Sequence, residues 1–198
     1  MSIDPEKEKS ADRLRDILVK ARLWLSSPID FNDPFDMSAN MIVSDDPRER
    51  RERVKTLLKE LGLRFSEREK LVKKFTRKPI DELTDIWASS YRKNIEEVGI
   101  FSFSADPKNI LMWSHYAQHH TGICIQFELA RDFPMLCSAV SVDYSSVYPE
   151  VTWGKKNFRN IFAKTMLNKH EGWRYEKEYR IVRPGEAHTY LTINPQAW

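Results

Sequence analysis

The stretch GIFSFSADPKNILMWSHYAQHHTGICIQFEL, Gly99 to Leu129, decides the fold class, because its hydrophobic period changes twice. Gly99 to Ser104 alternates in character, as a strand with two unlike faces does. Asn109 to His120 instead fits a short helix. Gly122 then leads into an apolar run in which Ile123, Cys124, Ile125 and Phe127 make the best candidate for a central strand.

Outward from this stretch the mixture continues. Downstream, Val140, Val142 and Tyr144 alternate within CSAVSVDYS, a partner strand for the GICI run. Phe158 to His170 fits an amphipathic helix, and WRYEKEYRIV (Trp173 to Val182) and HTYLTI (His188 to Ile193) read as strands. Upstream, Ser10 to Lys20 has Leu14, Ile17 and Leu18 on one helical face, and Arg22 to Ser26 is a short strand with Leu23 and Leu25 opposite Trp24. Between them and Gly99, residues 46–98 are charged and helical. Asp46-Pro47 suits an N-cap with Pro at the first helical position, Gly62 suits a helix end, and Ser66 with Glu69 suits a capping box. Helices and strands mix without a βαβ period. The expected class is therefore α+β, with a mainly antiparallel central sheet, flanking helices and a charged helical insertion or cap at 46–98.

Composition narrows the class. The 198 residues are 41% hydrophobic and 31% charged, with 6 Gly and 10 Pro, which suits one folded domain, 1–198, and excludes a disordered or collagen-like chain. A net charge of +3 is too small for a nucleic-acid footprint, and the charges lie in mixed-sign helices, so nucleic acid is not an expected partner. No run approaches the ~18 apolar residues of a spanning helix, and the charged N-terminus lacks a signal-like apolar run, so the expected location is cytoplasmic. Cys124 and Cys137 lie in apolar strand-like runs without zinc-ligand spacing, which reads as two buried, reduced thiols.

Three clusters carry the polar groups. In SSPIDFNDPFD (Ser26 to Asp36), Asn32 and Asp33 can either project into a cleft or hold an Asx-type turn. Ser102, Ser104, Trp113, His115, Tyr116 and His119 form the second. On a helix His115 and His119 share a face, but no third ligand or Glu base accompanies them, so no metal is expected. A hydrogen-bonding role for His115 and Tyr116 at a cleft edge suits them better. In the third, WRYEKEYR, a strand puts Glu176, Glu178 and Arg180 on one face. Facing water they are an ordinary ion-pair surface; facing a cavity, the paired carboxylates raise one pKa while the Arg holds the other ionised.

The ordered set FNDPF, SFS, MWSHYA, GICI and YEKEYR closely resembles a bacterial family known as domain of unknown function 2971. The resemblance runs from about Arg22 to the end, with 46–98 as the variable part. Family members open with a strand rich in Tyr, Lys and Arg, where this chain has MSIDPEKEKSADRL, and Asn194 to Trp198 is short for the family. The expectation is a reduced member or a chain incomplete at both ends. Part of the family is met in phage-defence contexts, so the resemblance implies a binding or regulatory module, with an unknown small molecule or protein as partner. In layout, an early aromatic-and-Ser strand and a late Glu-x-Glu strand also look like ADP-ribosyltransferase-type domains. That likeness implies the alternative, an NAD-using transferase or NAD glycohydrolase. There Glu178 or Glu176 would steady an oxocarbenium-like transition state, with His115 as a further catalytic group. Trp24, Ser26, Asn32, Asp33, Ser102, Ser104, Trp113, Tyr116 and Arg180 would bind substrate. NAD would be that substrate, with no other cofactor implied.

Overall fold

A computed structural model describes residues 5–33, 35–153 and 163–197. They form helices and small, mostly antiparallel sheets, an α+β fold. They pack as two compact units, one of Met1–Met37, Ile95–Ser146 and Leu167–Trp198, the other of Ser38–Asn94 and Val147–Met166.

The first unit opens with α1 (Pro5–Leu18) and β1 (Arg22–Leu25). Leu23 and Leu25 are fully buried, while Trp24 lies on the opposite face, the alternation expected of a strand with one packed side. β1 pairs antiparallel with β9 (Thr189–Thr192), so that Trp24 stands opposite Tyr190. Ser26 extends β1 by a bridge to Ile100 in β3 (Gly99–Ser104). β3 pairs with β8 (Glu178–Arg183), which also takes the two-residue β4 (Val140–Ser141) on its other edge. The antiparallel order is thus β9-β1-β3-β8-β4. One face packs Leu23, Ile181 and Ile193 with Phe101 and Phe103; the other carries Trp24, Ser102, Glu178 and Arg180. Gly99 sits where a Cβ would come within 2.5 Å of the Glu186 carbonyl oxygen, so only glycine lets those backbones approach. A parallel pair, β5 (Asp143–Ser145) with β7 (Asn168–His170), completes the strands described in this unit. Helices α5 (Ile110–Tyr116) and α6 (Phe133–Leu136) lie in its loops.

The second unit contains α2 (Pro47–Glu60), α3 (Phe65–Thr76), most of α4 (Ile80–Glu96), and the parallel pair β2 (Asn40–Val43) with β6 (Glu150–Trp153). The Asp46 carboxylate accepts from Arg48 N at 2.8 Å, the N-cap read from Asp46-Pro47. Val54, Leu58 and Val72 form its own small core. Tyr91 donates its hydroxyl to Thr165. The helix over Ser66 starts at Phe65 with Arg64 as N-cap, so the Ser66/Glu69 capping box is not formed.

Several expectations are corrected. The GICIQFEL run is not a strand: Gly122 to Leu129 has no ladder, and Ile123 is 58% exposed. CSAVSVDYS pairs not with that run but with β8 through Val140–Ser141 and with β7 through Asp143–Ser145. Cys124 and Cys137 are both exposed rather than buried. The helix over MWSHYA stops at Tyr116, because Gln118, His119 and His120 all take positive φ; His119 therefore leaves the face of His115. Of the helix expected over Phe158 to His170, residues 158–162 lie outside the described residues, Ala163–Met166 is helical, and Asn168–His170 is strand β7.

Candidate functional site

β8 begins later than its sequence suggests. Glu171–Glu176 forms a 3-10 turn, and Lys177 takes a left-handed backbone (φ 44°) before Glu178 enters the strand. Glu176 is therefore not a strand neighbour of Glu178, yet the turn delivers its carboxylate to the same place. Glu176, Glu178 and Arg180 are 2%, 5% and 0% exposed, so the wet-surface reading of this face does not hold.

Buried charges need partners, and these have them. Arg180 donates from Nε to Glu178 Oε1 at 2.7 Å, and from Nη2 to Glu178 Oε2 at 3.0 Å and Asp36 Oδ2 at 2.7 Å. Lys169 Nζ donates to Glu176 Oε2 and, at 3.0 Å, to Glu178 Oε2, and lies 3.5 Å from Asp36 Oδ2. Three carboxylates meet two cations. Hydroxyls supply further donors: Ser102 Oγ to Glu178 Oε1 at 2.6 Å and Tyr116 OH to Glu176 Oε1 at 2.6 Å. Asp36 Oδ1 is buried without a hydrogen-bond partner among the described residues.

The electrostatics follow from these contacts. Burial pushes the Glu178 carboxyl upward, but hydrogen bonds and charge from Arg180, then Lys169 and Ser102, outweigh it and hold Glu178 below the usual carboxylate range. Burial lowers Lys169, yet the surrounding carboxylates more than reverse this and keep it firmly cationic. Tyr116 is raised by burial and by the Glu176 carboxylate beside it, and so stays a phenol that donates.

This cluster forms one wall of a cleft of about 1040 Å³ within the first unit. Asn32, Ser102, Ser104, Tyr116, Glu176 and Glu178 line it, as do Trp24 and Ser26 on the β1 side. Asn32 Nδ2 reaches Tyr116 OH at 3.5 Å, and Ser104 Oγ donates to the Glu176 carbonyl at 2.8 Å. Across the cleft, Trp24 packs edge-on to Tyr190 (5.0 Å) and roughly parallel to His188 (5.9 Å). Among the charged lining residues, Asp12, Asp16, Asp30, Glu176 and Glu178 face Arg13, Arg22 and Lys169, five carboxylates against three cations.

Other residues singled out in the sequence do other work. Asp33 accepts from Phe35 N at 2.9 Å, an Asx turn rather than a cleft group. Trp113 donates Nε1 to the Pro107 carbonyl at 2.8 Å. His115 is outside the cleft lining and sits among Tyr116, Trp173 and Tyr175, with centroids 6.2–6.3 Å apart. Three members of the site escaped sequence reasoning: Lys169, hidden in a helical pattern; Asp36, which looked like loop punctuation; and Tyr144, whose hydroxyl accepts from Glu178 N at 2.8 Å. Among the described residues, no group of His, Cys, Asp and Glu is placed to hold a metal ion, and no helix is long and apolar enough to cross a membrane.

The unit is thus an α+β domain with a charged cluster buried beneath a cleft. Residues 112–181, which hold most of α5, most of β8 and most of the cluster, match the family model described as Protein of unknown function (DUF2971), which supports the resemblance read from the motifs over that part of the chain. No curated protein and no solved structure matches the chain.

Proposed function

We propose that this chain is a binding module whose site is the cleft beside Glu176 and Glu178, and that it carries out no NAD chemistry. The observation behind this reading is the saturation of Glu178. A carboxylate that steadies an oxocarbenium ion must turn uncompensated negative charge toward the sugar. Both Glu178 oxygens already accept from Arg180, with Lys169 on one and Ser102 on the other, so little field is left to direct at a substrate. The carboxylates of Asp12 and Asp30, which line the cleft, also oppose a dinucleotide whose diphosphate is anionic. His115, the imidazole such chemistry was to draw on, is absent from the lining. A cleft with a rigid charged floor and an aromatic wall suits recognition, and the defence setting implied by the family resemblance suits a sensor of a small molecule.

The experiment is nicotinamide release from NAD by the full-length protein and by its Glu178→Gln variant, followed by chromatography. The expected result is release at the buffer rate by both. Release by the wild type that the variant loses would replace this reading with the transferase one.

A further inference from the structure

We infer that the ligand of this cleft is an organic cation with a flat head group, of the guanidinium or amidinium class, held against Trp24 and His188 beside Asp30. The inference rests on the binding-module reading and adds the ligand's charge and shape.

Charge comes first. Of the five carboxylates that line the cleft, Asp16 is paired with Lys20 and Arg22, Glu176 with Lys169, and Glu178 with Lys169 and Arg180. Asp12 and Asp30 have no Lys or Arg ion pair among the described residues, and such carboxylates within low-dielectric walls favour positive ligands.

Shape comes from the aromatic wall. Trp24 and His188 lie with ring planes 26° apart, and Tyr190 stands edge-on at 68°. His188 is fixed by a 2.8 Å contact between Nε2 and Asp30 Oδ2, and Asp30 is held by Ser27 N at 3.1 Å. Ring faces beside a carboxylate are what a planar cation needs: the ring quadrupole attracts the charge, and the carboxylate takes its N–H groups.

The same wall already holds such a group. The Arg22 guanidinium lies 3.7 Å from the Tyr190 ring centroid and donates to Asp16 Oδ1 from Nε and Nη2 at 3.1 and 2.8 Å. One step along β1, Trp24 and Asp30 offer the same pair of surfaces, with no arginine of the described residues over that ring.

Benzamidine, benzamide and benzoate share a shape and differ in charge, so calorimetric titration of the full-length protein with each is the test. Benzamidine is expected to bind at least about tenfold more tightly than benzamide, with benzoate weakest. Asp30→Asn should cost benzamidine about tenfold and leave benzamide unchanged, a selectivity that mere loss of structure would not give; Trp24→Ala should weaken both, and Trp24→Phe should restore part of the loss. Equal binding of benzamidine and benzamide, a preference for benzoate, or no binding by any of the three overturns the inference while leaving the binding module in place. Nicotinamide release from NAD overturns the binding module itself.

Discussion

Arg180 lies alongside Glu178 in a two-point contact, Nε to Oε1 at 2.7 Å and Nη2 to Oε2 at 3.0 Å, although both side chains spring from one strand two residues apart. Lateral pairing of this kind is open to i and i+2 because both point to one face. It leaves the second edge of Nη2 for Asp36, 144 residues away in sequence. The guanidinium thereby ties the FNDPFD loop to the late strand, and it is the joint of the site.

Removing that joint should be costly. Arg180→Met deletes a fully buried cation and leaves Glu178, Glu176 and Asp36 facing Lys169 alone. Uncompensated buried charge of this kind costs about 3–5 kcal/mol, read as a lowered urea midpoint. Arg51→Ala breaks an ion pair with Glu69 whose side chains are 44% and 33% exposed and should cost under about 1 kcal/mol. Equal losses would deny the cluster its structural weight.

Stability should fall in acid through Glu178. Its folded-state pKa is depressed below 4.5, so its contribution is fully present above the unfolded value and is lost as pH falls through the folded one. Asp16, held down to about 2, first by its hydrogen bond with Lys20, acts in the same direction. The expected profile is flat stability near neutrality and a decline beginning near pH 4.5. Glu178→Gln should be less stable at pH 7 and should show a shallower acid decline. An unchanged acid limb in that variant would sink the assignment.

Much of the fold was legible where one rule governs a segment. Leu23 and Leu25 against Trp24 gave β1 and its buried face, and Asp46-Pro47 gave the start of α2. The site was legible in half. Glu176, Glu178, Tyr116 and Asn32 stood out as polar groups in aromatic surroundings, and they do meet at one cleft. Lys169 and Asp36 did not stand out, because what makes them members is burial against residues far off in sequence, and a lysine in a basic helical pattern or an Asp beside Pro looks solvated. His115 shows the converse: its ring packs edge-on to Trp173 and stacks on Tyr175, away from the cleft lining.

Tyr116 and Asn32 should part company under mutation. Tyr116 OH donates at 2.6 Å to a carboxylate that is almost wholly buried, and Tyr116→Phe leaves that oxygen short of a donor, at about 1–3 kcal/mol. Asn32 makes a 3.5 Å exposed contact to the same hydroxyl, too long to contribute much, so Asn32→Ala should move stability by under about 0.5 kcal/mol. Thermal unfolding of both variants, with circular dichroism as the probe, separates the two. If Asn32→Ala proved the more damaging, the hydrogen-bond order from Asn32 through Tyr116 to Glu176 would be wrong.

The cysteines test the one strand that does not form. An apolar GICIQFEL run, read as a central strand, hides Cys124; without a ladder it leaves Ile123 58% exposed and Cys124 open to solvent, as Cys137 is after α6. A thiol's reactivity depends on access and on its thiolate fraction, and access here needs no unfolding. Both thiols should therefore react with Ellman's reagent in native buffer, within about tenfold of their rates in denaturant. A buried pair would instead be slowed by the population of open molecules, by orders of magnitude for a domain of ordinary stability. Protection on that scale would put the run back into the sheet.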